Sequence, residues 1–264
     1  MKDINPPPSS NPSSEVLIAT RRNGHSRRTS AGRAYAWIVA GWQCFMRNPP
    51  LWVGVSIVVM LFFLLLLAIS LGALASYLFA PSIGAGMLYL AQRIDSNEGV
   101  FSDLFAGFRR NTTSLIWLGV VLLIAMGLWK IWFFFMLFGG WSGFSAAVST
   151  SVMMQAVAQA GALLMISLAL FILIFLPILC MALWFSPALC FFDSMRANAA
   201  LRASFYACLK NWLPLTLYGL ILLIIFSLSL VTAGIGFLVS IPLMMASLYH
   251  SYLDIFAHDS PAND

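Results

Sequence analysis

Three short stretches of this chain carry the side chains best placed to do chemistry. They read W-Q-C-F-M-R-N at Trp42 to Asn48, F-A-G-F-R-R-N at Phe105 to Asn111, and F-Y-A-C-L-K-N at Phe205 to Asn211. Each opens on an aromatic ring and closes on Arg or Lys directly before Asn. Arg47, Arg109, Arg110 and Lys210 are cations that can meet a phosphate, and a cation in the last turn also complements a helix's negative end. Asn48, Asn111 and Asn211 tolerate left-handed backbone and can bond neighbouring backbone groups. The seven residues read as turns with lipid-headgroup or interface anchors.

Other chemistry is sparse. Asp193, Asp254, Tyr249 and His250 are the acid/base groups nearest the apolar segments, and their spacing matches no catalytic set. His25, His250 and His258 are scattered, and Cys44, Cys180, Cys190 and Cys208 contain no C-x-x-C. Neither a disulfide framework nor a metal site is expected. A Ser/His/Asp arrangement and a phosphate-binding glycine loop are both lacking. The sequence therefore implies no catalytic residues, no cofactor and no enzyme.

The elements that must position these groups are apolar. Hydrophobic residues make up 61% of the 264 and charged residues 9%, against about 45–50% and about 25% in soluble domains. The mean hydropathy is +0.91. Runs long enough to cross a bilayer, about 17–25 residues, predict spans at 51–71, 74–93, 113–138, 153–183, 213–231 and 235–255. Pro177 and Pro187 predict a bend and an apolar extension after the fourth. Residues 1–32 combine Pro, Ser and Asn with Arg21, Arg22, Arg27 and Arg28. They read as a disordered basic tail, its arginines suited to an anionic leaflet at about 1 kcal/mol each rather than to nucleic acid. Residues 258–264 form a short C-terminal tail.

Charge sets the expected orientation. Lys and Arg gather before the first span, between the second and third, and between the fourth and fifth; the alternate connections carry none. By the positive-inside rule both termini are cytoplasmic. Lys130 is the exception, about 18 residues into the third span, and reads as a cation snorkelling to the outer interface beside Trp129, Trp132 and Trp141.

Apolar side chains recur at helical spacing through each motif: Tyr35, Ile38, Trp42 and Phe45; Phe101, Leu104, Phe105 and Phe108; Leu201, Phe205, Cys208 and Trp212. Three cytoplasmic interfacial helices are predicted, with Ser102 a possible cap of the second. Asn48 and Asn111 are 63 residues apart and Asn111 and Asn211 are 100 apart, so the middle unit is the longest. Prolines at 81, 187 and 242, followed by Arg93, Asp193 and Asp254, mark the second span of each unit. The fold class is all-α: a six-span polytopic bundle over 33–257, built of parallel hairpin repeats at about 33–95, 101–195 and 196–257. Gly84, Gly86, Gly234 and Gly236 read as packing positions; Ser227, Ser229, Gln155 and Gln159 are the polar groups available inside spans.

With these motifs (G-W-Q-C-F-M-R-N-P-P-L-W, F-A-G-F-R-R-N, and C-L-K-N-W-L-P to S-L-Y-H-S-Y-L-D-I-F), residues 33 to 257 resemble an uncharacterised family of multi-pass inner-membrane proteins from proteobacteria. More distantly the stretch is similar to the membrane domain attached to some glycerophosphodiester phosphodiesterases. The resemblance implies a helical protein of a bacterial inner membrane and no catalytic residues. The resulting expectation is a non-enzymatic scaffold or lipid-associated accessory factor, partnered by membrane lipids and other membrane proteins. A permease for an uncharged or lipid-like substrate is the alternative.

Overall fold

The computed structural model describes residues 26–69, 72–145 and 161–256, with backbone alone for 135–145. Every regular element among them is helical: α1 (Arg33–Arg47), α2 (Pro49–Ala68), α3 (Gly72–Asp95), a 3-10 helix (Phe101–Phe108), α4 (Thr112–Ser145), α5 (Gly161–Phe192), α6 (Ala197–Lys210), α7 (Trp212–Val231) and α8 (Phe237–Phe256). By length and composition, α2, α3, α4, α5 and α7 can each cross a membrane. At 1.5 Å per residue, even the 20-residue ones reach about 30 Å, the thickness of a hydrocarbon core. The chain is thus a multi-pass membrane protein. α8 equals the shortest spans in length, but Pro242, His250 and Asp254 dilute its apolar character.

Local chemistry explains the boundaries. Asn48 lies outside the helical region (φ −148°, ψ 69°), as favoured for a residue before proline, and its side chain accepts the Leu51 N–H at 3.3 Å. Pro49 and Pro50 then occupy the first turn of α2, where a missing N–H costs nothing. Asn111 takes the left-handed conformation (φ +50°) between the 3-10 helix and α4. Between α7 and α8, Ala233 (φ +53°) and Gly234 (φ +87°) reverse the chain. There a Cβ on Gly236 would stand 2.6 Å from the Ser229 Cα. Gly84 meets nothing within 4 Å, so its packing role is not seen.

α5 shows what two prolines do to one long helix. A π turn at Phe171–Phe175 precedes Pro177, absorbing the donor that the ring lacks. A second break comes just before Pro187. The Ser204 hydroxyl of α6 enters there, donating to the Met181 carbonyl at 2.7 Å and accepting the Phe185 N–H at 3.0 Å. It stands in the gap of what would be one i→i−4 bond. The helix then resumes at Ser186–Phe192, which is the apolar extension read from the sequence. The start expected near residue 153 lies outside the described residues.

Several expectations need correction. α4 continues to Ser145, so part of the stretch read as an outer connection is helix. The segment expected to lie as an amphipathic α-helix at Phe101–Phe108 is a 3-10 helix, three residues per turn. Leu104 and Gly107 turn inward together while Phe101 and Phe105 stay exposed. Its cap is Asp103, which accepts the Val100 N–H at 2.9 Å, not Ser102. On α1 the buried side is Trp37, Gly41 and Cys44, whereas Tyr35 and Trp42 face outward. On α6 it is Ala200, Ser204 and Ala207. Of the rings expected to anchor these segments, Tyr35, Trp42, Phe101 and Phe105 are exposed and free to meet lipid, whereas Phe45 is buried; the protein contacts come from Trp37, Phe45, Leu104 and the small residues.

The core concentrates where the short helices meet the ends of the long ones. α8 packs along α1, and the 3-10 helix along α3. Tyr218 sits fully buried between Trp37 and Trp184, edge-on to both at 5.8 and 6.1 Å. Close backbone approach is licensed by glycine: a Cβ on Gly41 would lie 2.7 Å from Ser247, and one on Gly86 only 1.8 Å from the Leu104 carbonyl oxygen.

Candidate functional site

The charged end of the bundle is where polar side chains converge. Ser26 to Thr29, expected to belong to an unstructured tail, run without regular structure across the ends of α6 and α8. Asn211, 1% exposed, holds this segment in place. Its Oδ1 accepts the Thr29 N–H at 2.8 Å and its amide donates to the Arg27 carbonyl at 2.9 Å. Lys210 donates to the Ser26 carbonyl, and the Arg27 N–H donates to Ile255 O at 2.9 Å.

The middle corner works on the same principle. The Asn111 amide donates to Cys190 O at 2.7 Å and Met195 O at 3.1 Å, closing the α5–α6 turn against the start of α4. The Arg110 guanidinium lies over the Phe191 ring at 5.4 Å, and Arg109 is exposed. At the first corner Asn48 caps α2, and Arg47 Nη1 reaches the Asp95 carboxylate at 2.9 Å and its carbonyl at 2.8 Å. Each corner therefore secures the end of α3, α5 or α8, the third through the N-terminal segment.

Three aspartates mark those ends. Asp95 takes Arg47, with His250 Nε2 3.4 Å from its other oxygen. Asp193 accepts the Tyr252 hydroxyl at 2.7 Å. Asp254 takes Arg27, Arg33 Nε at 2.6 Å and Trp37 Nε1 at 2.8 Å. Its side chain is 4% exposed, so burial in this frame is offset by charge-assisted bonds. By its place after a proline-containing helix, Arg93 is the expected counterpart of Asp193 and Asp254. In the structure Asp95 does that work, while Arg93 pairs with Glu98 and faces Asp103 at 3.7 Å.

Of the four acid/base residues read from the sequence, Asp193 and Asp254 are engaged in separate frames, and Tyr249 rests against the His250 ring at 5.4 Å. His250 is drawn instead toward Asp95 and Cys44, whose donor atoms and its own all lie within 4.8 Å of one another. Burial, with the Asp95 carboxylate beside it, pushes the Cys44 thiol up to about 12. Asp95 and Cys44 were missed because the three residues are 51 and 155 positions apart, on α1, α3 and α8. The one available signal was an aspartate closing each proline-containing helix. His25, His258, Gln155 and Gln159 lie outside the described residues.

Away from this end the polar content is local. Ser227 and Ser229 donate to Leu223 O and Ile225 O of their own helix, at 2.8 and 2.9 Å. Lys130 sits over the Tyr77 ring at 5.2 Å, and Trp129 stacks on Phe171 at 4.2 Å. Between α2, α3 and the 3-10 helix runs a groove of about 330 Å³ with no polar lining, bounded by Val59, Phe62, Ile83, Leu104, Phe105 and Phe108.

Comparison with family models, with curated proteins and with solved structures finds no match. Neither resemblance read from the motifs gains support there. The class is defined by the fold: a polytopic helical membrane protein.

Proposed function

We propose that the protein is a lipid-associated, non-enzymatic factor of a cytoplasmic membrane, six-spanning with α8 as the sixth span, and with both termini inside. The reading rests on one observation. At the charged end the carboxylates, the small residues and one set of rings (Trp37 and Phe45 among them) face the protein, while a second set of apolar side chains faces outward beside the cations: Tyr35, Trp42 and Met46 on α1, Phe101 and Phe105 before Arg109, Tyr206 and Leu209 before Lys210. Apolar rings below and guanidinium or ammonium groups above are what a headgroup layer accommodates. The apolar groove ending at Phe108, next in sequence to Arg109, is suited to an acyl chain whose phosphate meets that cation. The similar securing of the three corners supports the parallel-repeat reading.

Two measurements test this. Reporter fusions after Gly72, Ala146 and Ala233 should all report the periplasmic side; a cytoplasmic signal at any of them overturns the topology. Replacing Arg109 and Arg110 with Gln should reduce the anionic lipid retained in native mass spectrometry, each cation near an anionic surface being worth about 1 kcal/mol. Unchanged lipid content would remove the lipid role.

A further inference from the structure

We propose that Cys44, Asp95 and His250 form a binding site for a divalent transition ion of the zinc class, joining α1, α3 and α8. This inference is independent of the lipid reading. The three donor atoms, one from each residue, all fall within 4.8 Å of one another. A tetrahedral ion with bonds of about 2.0–2.3 Å holds its ligands about 3.3–3.7 Å apart, so closure needs shifts of about 1 Å.

The surroundings favour a metal over a plain hydrogen-bonded cluster. His250 Nε2 is buried and without a hydrogen-bond partner, although the Asp95 Oδ2 is 3.4 Å away. A buried ring nitrogen in that condition needs an explanation, and coordination supplies one. The Cys44 sulfur makes a long contact, 3.7 Å, to Ala91 O and is within hydrogen-bonding reach of Trp52 and of the Asp95 carboxylate itself. Arg47 engages Asp95 Oδ1 at 2.9 Å, leaving Oδ2 toward His250. A hydrogen-bonded partner that orients a ligating carboxylate in this way is typical of metal sites. The donor set also discriminates: a thiolate with an imidazole and one carboxylate suits zinc or cobalt, not calcium or magnesium. On binding, the thiol proton leaves to solvent and the sulfur takes the ion in its place. Three protein ligands leave a coordination position for water or an external group.

The test uses the full-length chain in nanodiscs, stripped with chelator and titrated with Co²⁺. The expected result is one equivalent bound with a thiolate-to-cobalt charge-transfer band, bleached by Zn²⁺. Cys44→Ser should abolish the band. Asp95→Asn and His250→Gln should weaken Zn²⁺ binding at least about tenfold, and Cys208→Ser should leave both readouts unchanged. Absence of the band in the wild-type chain, or its survival in Cys44→Ser, overturns the site. The wild-type titration decides even where a variant fails to fold.

Discussion

The two ends of this bundle are held together by different forces. At the charged end, aspartates closing α3, α5 and α8 are bonded to side chains from distant helices, and small residues let backbones touch. Toward the opposite end, side chains on α5 such as Met165 and Leu173 are 69% and 73% exposed. In the most apolar window of α5 only 6% of the residues are buried, against 44% in α3. In lipid an exposed leucine costs nothing, because hydrocarbon surrounds it either way. Specific structure is therefore needed only where polar groups must be paired. The charged end carries that specificity, and the apolar end supplies length.

The largest effect that would break this contrast is at Asp254. Replacing it with Ala leaves two guanidinium groups and the Trp37 indole without their shared acceptor. Removing one partner of a buried charge pair typically costs about 3–5 kcal/mol; with both arginines half exposed, the low end of that range is expected. A drop in thermal unfolding midpoint in detergent, with the 26–29 segment becoming open to protease, checks it. A neutral outcome would mean that the charged end is no better specified than the rest.

Backbone contact comes next. A Cβ at Gly86 would fall 1.8 Å from the Leu104 carbonyl oxygen, and one at Gly107 2.0 Å from that of Ser82. Neither neighbour is a flexible side-chain tip, so the 3-10 helix must move away from α3. Gly86→Ala is expected to cost about 1–3 kcal/mol, the usual range for overpacking, and Gly84→Ala close to none. Comparing the two unfolding midpoints separates a close-contact effect from a general effect of glycine in a helix.

What could be read from the sequence follows the same division. Five of the six expected spans coincide with helices long and apolar enough to cross a membrane, and they were legible because a helix that must bury its backbone in hydrocarbon needs a long apolar run. The corners were legible as turns, since Asn before a new helix has few other uses. Which face of each short helix meets protein was not legible. Tyr35 and Trp42 are as apolar as Trp37 and Phe45, and periodicity cannot tell a lipid-facing stripe from a buried one. The Asn111 bonds to Cys190 O and Met195 O, and the grouping of Cys44, Asp95 and His250, depend on helices meeting across long separations that no spacing rule reaches.

The smallest expected effect is the sharpest control on the comparison. Leu173 lies in the π turn of α5 and is 73% exposed. Leu→Ala in a packed core costs about 2–5 kcal/mol through lost transfer and a cavity. Here the truncated side chain loses neither, because lipid fills the space and hydrocarbon remains its solvent. Leu173→Ala should shift stability by less than about 0.5 kcal/mol, whereas Leu90→Ala, at a fully buried position on α3, should fall in the core range. Unfolding of both variants in the same bilayer mimetic gives the ratio directly. Were Leu173→Ala as costly as Leu90→Ala, the exposed face of α5 would be a surface covered by another protein or a second copy, and the apolar end would be an interface in its own right.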